Sequence, residues 1–164
     1  MVKPGAARVK AAKEASGRVA ENRKVYHNYF IEETTEAGLV LAGTEVRSAR
    51  DGGVNLTDSY VRIDKGEAWL IGCRFAPYPP AGQNNHDPDR PKKLLLHRRQ
   101  IDRLTGRTKL EGFALVVTRV YFDKTGRLKA ELGLARGKKQ HDKRASERDK
   151  DAKREIARAM RRGR

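Results

Sequence analysis

Ser59-Tyr60-Val61-Arg62-Ile63-Asp64-Lys65-Gly66-Glu67-Ala68-Trp69-Leu70-Ile71-Gly72-Cys73-Arg74-Phe75 is the stretch that decides the fold. Its two runs, Ser59 to Ile63 and Glu67 to Phe75, are rich in the β-branched and aromatic side chains that suit a pleated, half-buried surface. Between them Asp64-Lys65-Gly66 supplies tight-turn chemistry, so the whole reads as a β-hairpin. Downstream, Phe113 to Phe122 and Leu128 to Leu134 repeat the pattern around Asp123-Lys124-Thr125-Gly126. Upstream, the aromatic and branched run from Val25 to Glu33 predicts a first strand.

Helices are fewer. Thr44 is placed to cap a short one that begins at Glu45 and stops at Asp51-Gly52-Gly53. Pro91 suits a first helical position, with Leu94, Leu95, Ile101 and Leu104 on one side and Arg98, Arg99 and Arg103 turned elsewhere. Five of the six prolines fall between Ala76 and Pro91, which predicts a long irregular loop. Several short antiparallel strands within residues 23–135 point to a mainly β domain. An OB-like antiparallel barrel with two or three short helices is the expected form, because it leaves few exposed sheet edges.

The ends differ from this middle. The chain of 164 residues carries a net charge of +16, with 37 Lys and Arg against 21 Asp and Glu. Residues 1–22 hold hardly any large apolar groups and read as a basic arm that is disordered when free. Residues 136–164 hold thirteen basic groups against five acidic ones and form a basic tail. A surplus of this size favours a polyanionic partner over a small neutral substrate, and nucleic acid is the first candidate. Neither end shows the broad apolar face that membrane-surface helices need. No apolar run is long enough to span a bilayer and no signal peptide is apparent, so a cytoplasmic protein is expected.

Catalytic and metal templates are empty. His27, His86, His97 and His141 are scattered, Cys73 is the single cysteine, and no nucleophile elbow or Gly-rich phosphate cradle is present. No metal, no cofactor and no enzymatic activity are therefore expected, and Cys73 reads as a small buried hydrophobe. Glu32, Glu33 and Glu36 cluster after the first strand, where acidic groups are ordinarily solvated.

Cations are more informative. Arg98, Arg99 and Arg103 are either a solvated helix face or an RNA-facing patch. Gly137-Lys138-Lys139-Gln140-His141-Asp142-Lys143-Arg144 joins four cations to an imidazole that can stack on a base, although a basic linker has a similar composition. Beyond it the only apolar line is Ala145, Ala152, Ile156, Ala159 and Met160. That stripe is too thin to dock firmly, so the tail is expected to be disordered or helical and to fold on binding.

Five strings, in order, resemble the small protein B family, the tmRNA-binding (SsrA-binding) proteins of bacterial ribosome rescue. They are Glu36-Ala37-Gly38, Gly43-Thr44-Glu45-Val46, Asp58-Ser59-Tyr60-Val61, Lys93-Leu94-Leu95-Leu96-His97 and Leu134 through Arg144. The resemblance implies a six-stranded OB-like barrel and an adaptor that binds the tRNA-like domain of tmRNA. Such an adaptor, a monomer when free, brings tmRNA with elongation factor Tu and GTP to stalled ribosomes for trans-translation. By the same likeness Glu36, Leu95 and His97 engage the tRNA-like domain. Gly137, Lys138, Lys139, His141, Asp142, Lys143 and Arg144 enter the 16S rRNA decoding centre, with His141 stacking on a base, and Ile156 and Met160 order in the messenger channel. Two strings depart from the pattern: Arg47-Ser48-Ala49-Arg50, where relatives usually carry Lys-Ser-Leu-Arg, and Arg23-Lys24-Val25-Tyr26-His27, where they carry Arg-x-Ala-Arg-His. The first trims a core contact and the second removes a cation.

Two other readings compete. A general single-stranded nucleic-acid binder or ribosomal OB protein would bind unstructured oligonucleotides equally well. An RNA-modifying enzyme would need a paired acid and base beside the RNA.

Overall fold

The computed structural model of the chain describes residues 17–162. Among the described residues nine strands and four α-helices follow in this order: β1 (Arg18–Glu21), α1 (Arg23–Asn28), β2 (Tyr29–Leu39), α2 (Gly43–Arg50), β3 (Val54–Asn55), β4 (Tyr60–Asp64), β5 (Glu67–Ile71), β6 (Arg74–Phe75), β7 (Lys92–Leu95), α3 (Arg98–Leu110), β8 (Ala114–Phe122), β9 (Leu128–Gly137) and α4 (Gln140–Arg162). The protein is thus mainly β in its body, and all pairings are antiparallel.

The 59–75 hairpin forms as its residues require. Lys65 and Gly66 take φ of 49° and 76°, the two left-handed positions of a two-residue turn whose twist matches that of the strands it joins. Tyr60 then faces Ile71 and Asp64 faces Glu67. The second run is cut in two at Gly72, whose φ of 71° breaks the extended backbone. A Cβ there would lie 2.7 Å from the Asp58 carbonyl oxygen, so the site needs glycine. The β8–β9 hairpin is closed by Asp123, whose Oδ1 accepts from the backbone N–H groups of Thr125 and Arg127 at 2.8 and 2.9 Å.

Strands β8, β4, β5, β7, β2 and β9 are paired in that order, β9 is paired with β8 again, and β1 adds itself to β8. Inside lie Leu70, Phe75, Leu94, Val117, Val120, Leu132 and Leu134, all 2 % exposed or less. Each such side chain contributes about 1.5–3 kcal/mol by leaving water. A second, smaller apolar cluster sits under α1, where Val25, Val116 and Ala135 are buried together. Cys73 is buried at 1 %, as its strand-like context suggested, and burial pushes its thiol up to about 12.

Four expectations need correction. Residues 18–21 are not part of a free arm but pair with β8, giving a seventh strand in the main sheet; the rest of that expectation, on residues 1–16, lies outside the described residues. Residues 23–28 are a helical turn, and the first strand starts only at Tyr29. Val25 alone is buried from that turn, whereas extended pairing would have buried alternate residues. The short helix at Gly43–Arg50 is capped at Ala42 and not Thr44, because the Glu45 carboxylate accepts from the Ala42 N–H at 2.7 Å. Lys92–Leu95 is a strand, with helix beginning only at Arg98. Its burial alternates, Lys92 and Leu94 in and Leu95 out, and Leu94 faces both Ala68 and Leu39.

Lys92 is the unusual member of that strand. Its side chain is fully buried, with Nζ donating to the carbonyls of Cys73 at 2.8 Å and Pro88 at 3.0 Å and lying 4.7 Å from the centre of the Phe75 ring. Burial lowers its pKa. It ties the irregular 76–91 loop, which holds a 3-10 stretch at Pro79–Asn84, to the sheet.

Candidate nucleic-acid interface

Strand β2 lies between β7 and β9, placing Gly38 opposite both Leu95 and Lys129. The outward residues of these strands and the start of α3 therefore converge. Glu36, Lys93, Leu95, His97 and Lys129 line one open groove of about 630 Å³, so the three residues expected to act together, Glu36, Leu95 and His97, do meet. Leu95 is 54 % exposed although it sits on a strand, so it presents apolar surface beside the groove. His97 is exposed just ahead of α3, where its N–H donates to the Gln100 side chain at 2.9 Å.

Glu36 is not a free carboxylate. Lys129 Nζ donates to Oε1 at 2.5 Å and the Tyr121 hydroxyl donates to Oε2. Lys129 first, then Tyr121, holds its carboxyl below the usual range. Tyr121, partly buried and facing that anion, is pushed up to about 12 and keeps its proton. Neither partner was expected from the sequence, since they lie 85 and 93 residues away and only the β2–β9–β8 register brings them together.

The rest of the acidic cluster is paired as well. Glu32 accepts from Arg107 and Arg136 at 3.1 and 3.0 Å, and Glu33 pairs with Arg103. The Arg107 and Arg136 guanidinium groups also lie over the Phe113 ring, 4.7 and 5.4 Å from its centre. Of the α3 arginines singled out, Arg98 pairs with Asp102 at 3.3 Å, and Arg99 has no ion pair to another described residue.

The tail root is anchored. Gly137 still pairs with Tyr29, the Lys138 N–H donates to the Asn28 carbonyl at 2.9 Å, and Lys138 Nζ donates to the Tyr26 carbonyl at 3.0 Å while lying 4.7 Å from the Phe30 ring centre. Asp142 accepts from the Lys139 N–H at 3.1 Å and so starts α4. His141 is 85 % exposed, with Nδ1 3.0 Å from Asp142. From there α4 runs into solvent: Ile156 and Met160 are 55 % and 73 % exposed, and Lys139 and Arg144 are exposed as well. Its clearest tie to the body is Glu147, which meets His27 Nε2 at 2.7 Å; His27 draws that carboxyl below its usual range.

Among the described residues, no group of three or more His, Cys, Asp or Glu is placed to hold a metal ion, and no helix is long and apolar enough to cross a membrane. Residues 19–162 match the family described as SmpB protein. The chain belongs to the SmpB family. Curated relatives named SsrA-binding protein include those of Symbiobacterium thermophilum, 52 % identical over 87 % of this chain and 90 % of the relative, and of Bacillus cereus strain AH820, 52 % identical over 90 % and 96 %. A solved structure described as "tmRNA-SmpB: a journey to the center of the bacterial ribosome" superposes with a TM-score of 0.63 at 44 % identity, covering 76 % of this chain and 91 % of that one. The small protein B resemblance drawn from the five sequence strings is thereby confirmed.

Proposed function

We propose that this chain is an RNA-binding adaptor of ribosome rescue. It binds the tRNA-like domain of tmRNA through the groove of Glu36, Leu95 and His97. With elongation factor Tu and GTP it brings tmRNA to a stalled ribosome, where its tail, from Gly137 and Lys138 to Met160, enters the decoding centre and messenger channel. It works as a cytoplasmic monomer on an OB-like six-stranded barrel, without cofactor, metal or chemistry of its own.

The observation that carries this reading is the groove. Cations on phosphates would give affinity for any RNA, whereas selectivity needs contacts to bases, 2′-hydroxyls or shape. The groove offers an exposed leucine and a carboxylate on neighbouring strands and an imidazole just ahead of α3, a set that fits a folded RNA better than a phosphate track. Family membership across residues 19–162 and relatives named for SsrA binding support the same partner.

Competition binding at fixed salt tests it. A transcript of the tRNA-like domain should displace a labelled copy of itself far more effectively than an unstructured RNA of equal length. Equal competition by the two would favour the general single-stranded binder.

A further inference from the structure

Glu36 raises a physical difficulty. RNA surrounds a bound protein with phosphates, and an unpaired carboxylate at 48 % side-chain exposure would be repelled by them. A carboxylate has about four acceptor positions, and in this chain two are already occupied, one on each oxygen: Lys129 on Oε1 and Tyr121 on Oε2. Lys129 also removes the net charge that phosphates would meet. What remains are acceptor positions on a carboxylate that lines the groove, flanked by Leu95 and His97.

We propose that Tyr121 and Lys129 are positioning residues of the RNA site: they clamp the Glu36 carboxylate so that its remaining lone pairs accept from an RNA hydrogen-bond donor, a 2′-hydroxyl or an exocyclic base amine. This rests on the groove being the RNA site. Three features argue for a built clamp. Both donors come from strands independent of β2 in sequence, so the triad exists only in the folded sheet. Tyr121 is itself held, with the Arg119 guanidinium 5.4 Å from its ring centre. Arg119 is in turn fixed by Glu131, which accepts from its Nε and terminal nitrogen at 3.0 and 2.6 Å. Arg119, Tyr121, Glu36 and Lys129 thus form a continuous network that ends at the groove. The lowered Glu36 and raised Tyr121 values fit it, since one partner stays an anion and the other stays a donor. A base amine or 2′-hydroxyl is the chemistry that a fixed carboxylate reads, and phosphate, which only accepts, is excluded.

A double-mutant cycle separates clamping from direct contact. Full-length protein is titrated with the tRNA-like-domain transcript by fluorescence anisotropy. Tyr121→Phe, which removes only the hydroxyl, should weaken binding about tenfold, the cost of one hydrogen bond to a charged group. Lys129→Gln should weaken it by a similar factor, and Lys129→Arg should restore most of the loss. In a Glu36→Ala background neither change should cost more than about twofold, because nothing is left to position. Thermal melting of each variant verifies that the sheet is intact. Equal losses with and without Glu36 would make Tyr121 and Lys129 independent contacts and overturn the clamp, as would undiminished binding by Tyr121→Phe. If the unaltered protein shows no preference for the transcript over unstructured RNA, the functional reading itself fails and the clamp falls with it. If it shows the preference but the cycle is additive, only the clamp fails.

Discussion

The groove at Glu36 and the helix after Gly137 both bear charged side chains, yet they hold them in opposite states. In the groove, Glu36 is paired with Lys129 and Lys93 with Glu67, each at 2.5 Å, and the strands beneath are packed on a buried core. On the helix, Lys143, Arg144, Arg148 and Arg158 have no ion pair to another described residue, and the apolar stripe is exposed. Pre-organised polar groups cost little to order when a ligand arrives and so favour selectivity. Unpaired cations on a solvent-exposed helix are available to whatever phosphates surround them, which favours a second partner that encloses the helix.

That contrast can be broken first through stability. Phe75→Ala empties a fully buried position and should cost about 3–5 kcal/mol in urea denaturation. Ile156→Ala, on the exposed stripe, should stay within about 0.5 kcal/mol. Comparable losses would mean that the tail helix is docked in solution.

The groove gives the next largest effect. Leu95→Ala should weaken binding to the tRNA-like-domain transcript about tenfold while shifting melting by less than about 2 °C, because its side chain stabilises little in the free protein. A large drop in melting temperature would assign Leu95 to the fold.

The smallest effect is on pH. Lys129 and Tyr121 lower Glu36 from its ordinary 4.5, so the stabilisation they give is complete above that value and is lost as pH falls through the lower folded one. Binding by a His97→Asn variant, whose groove then carries no imidazole, should be flat between about pH 8 and about pH 6. A decline across that window would show that Glu36 is not held as an anion.

How much of this was legible depended on how local each signal was. The 59–75 hairpin could be read because Lys65 and Gly66 fix the turn within two residues. Leu94-Leu95-Leu96 carries no periodicity of its own, and whether it becomes strand or helix is settled by β2 and β5 on either side of it. Residues 23–28 have strand-like composition but cover the outside of the sheet as a turn of helix, an outcome set by Val116 and Ala135 far along the chain. Glu36, Leu95 and His97 were named by family resemblance, and the structure brings them to one groove. The tie of Glu36 to Tyr121 and Lys129 depends wholly on strand register and left no trace in the sequence.

The most direct test of the division between groove and tail is a chain ended after Lys139, measured for two properties side by side. All of the buried core precedes that point, so binding to the tRNA-like domain should remain within about threefold of the full chain. Tagging of proteins on stalled ribosomes should disappear. Full tagging by the shortened chain, or loss of transcript binding with the sheet intact, would contradict the account.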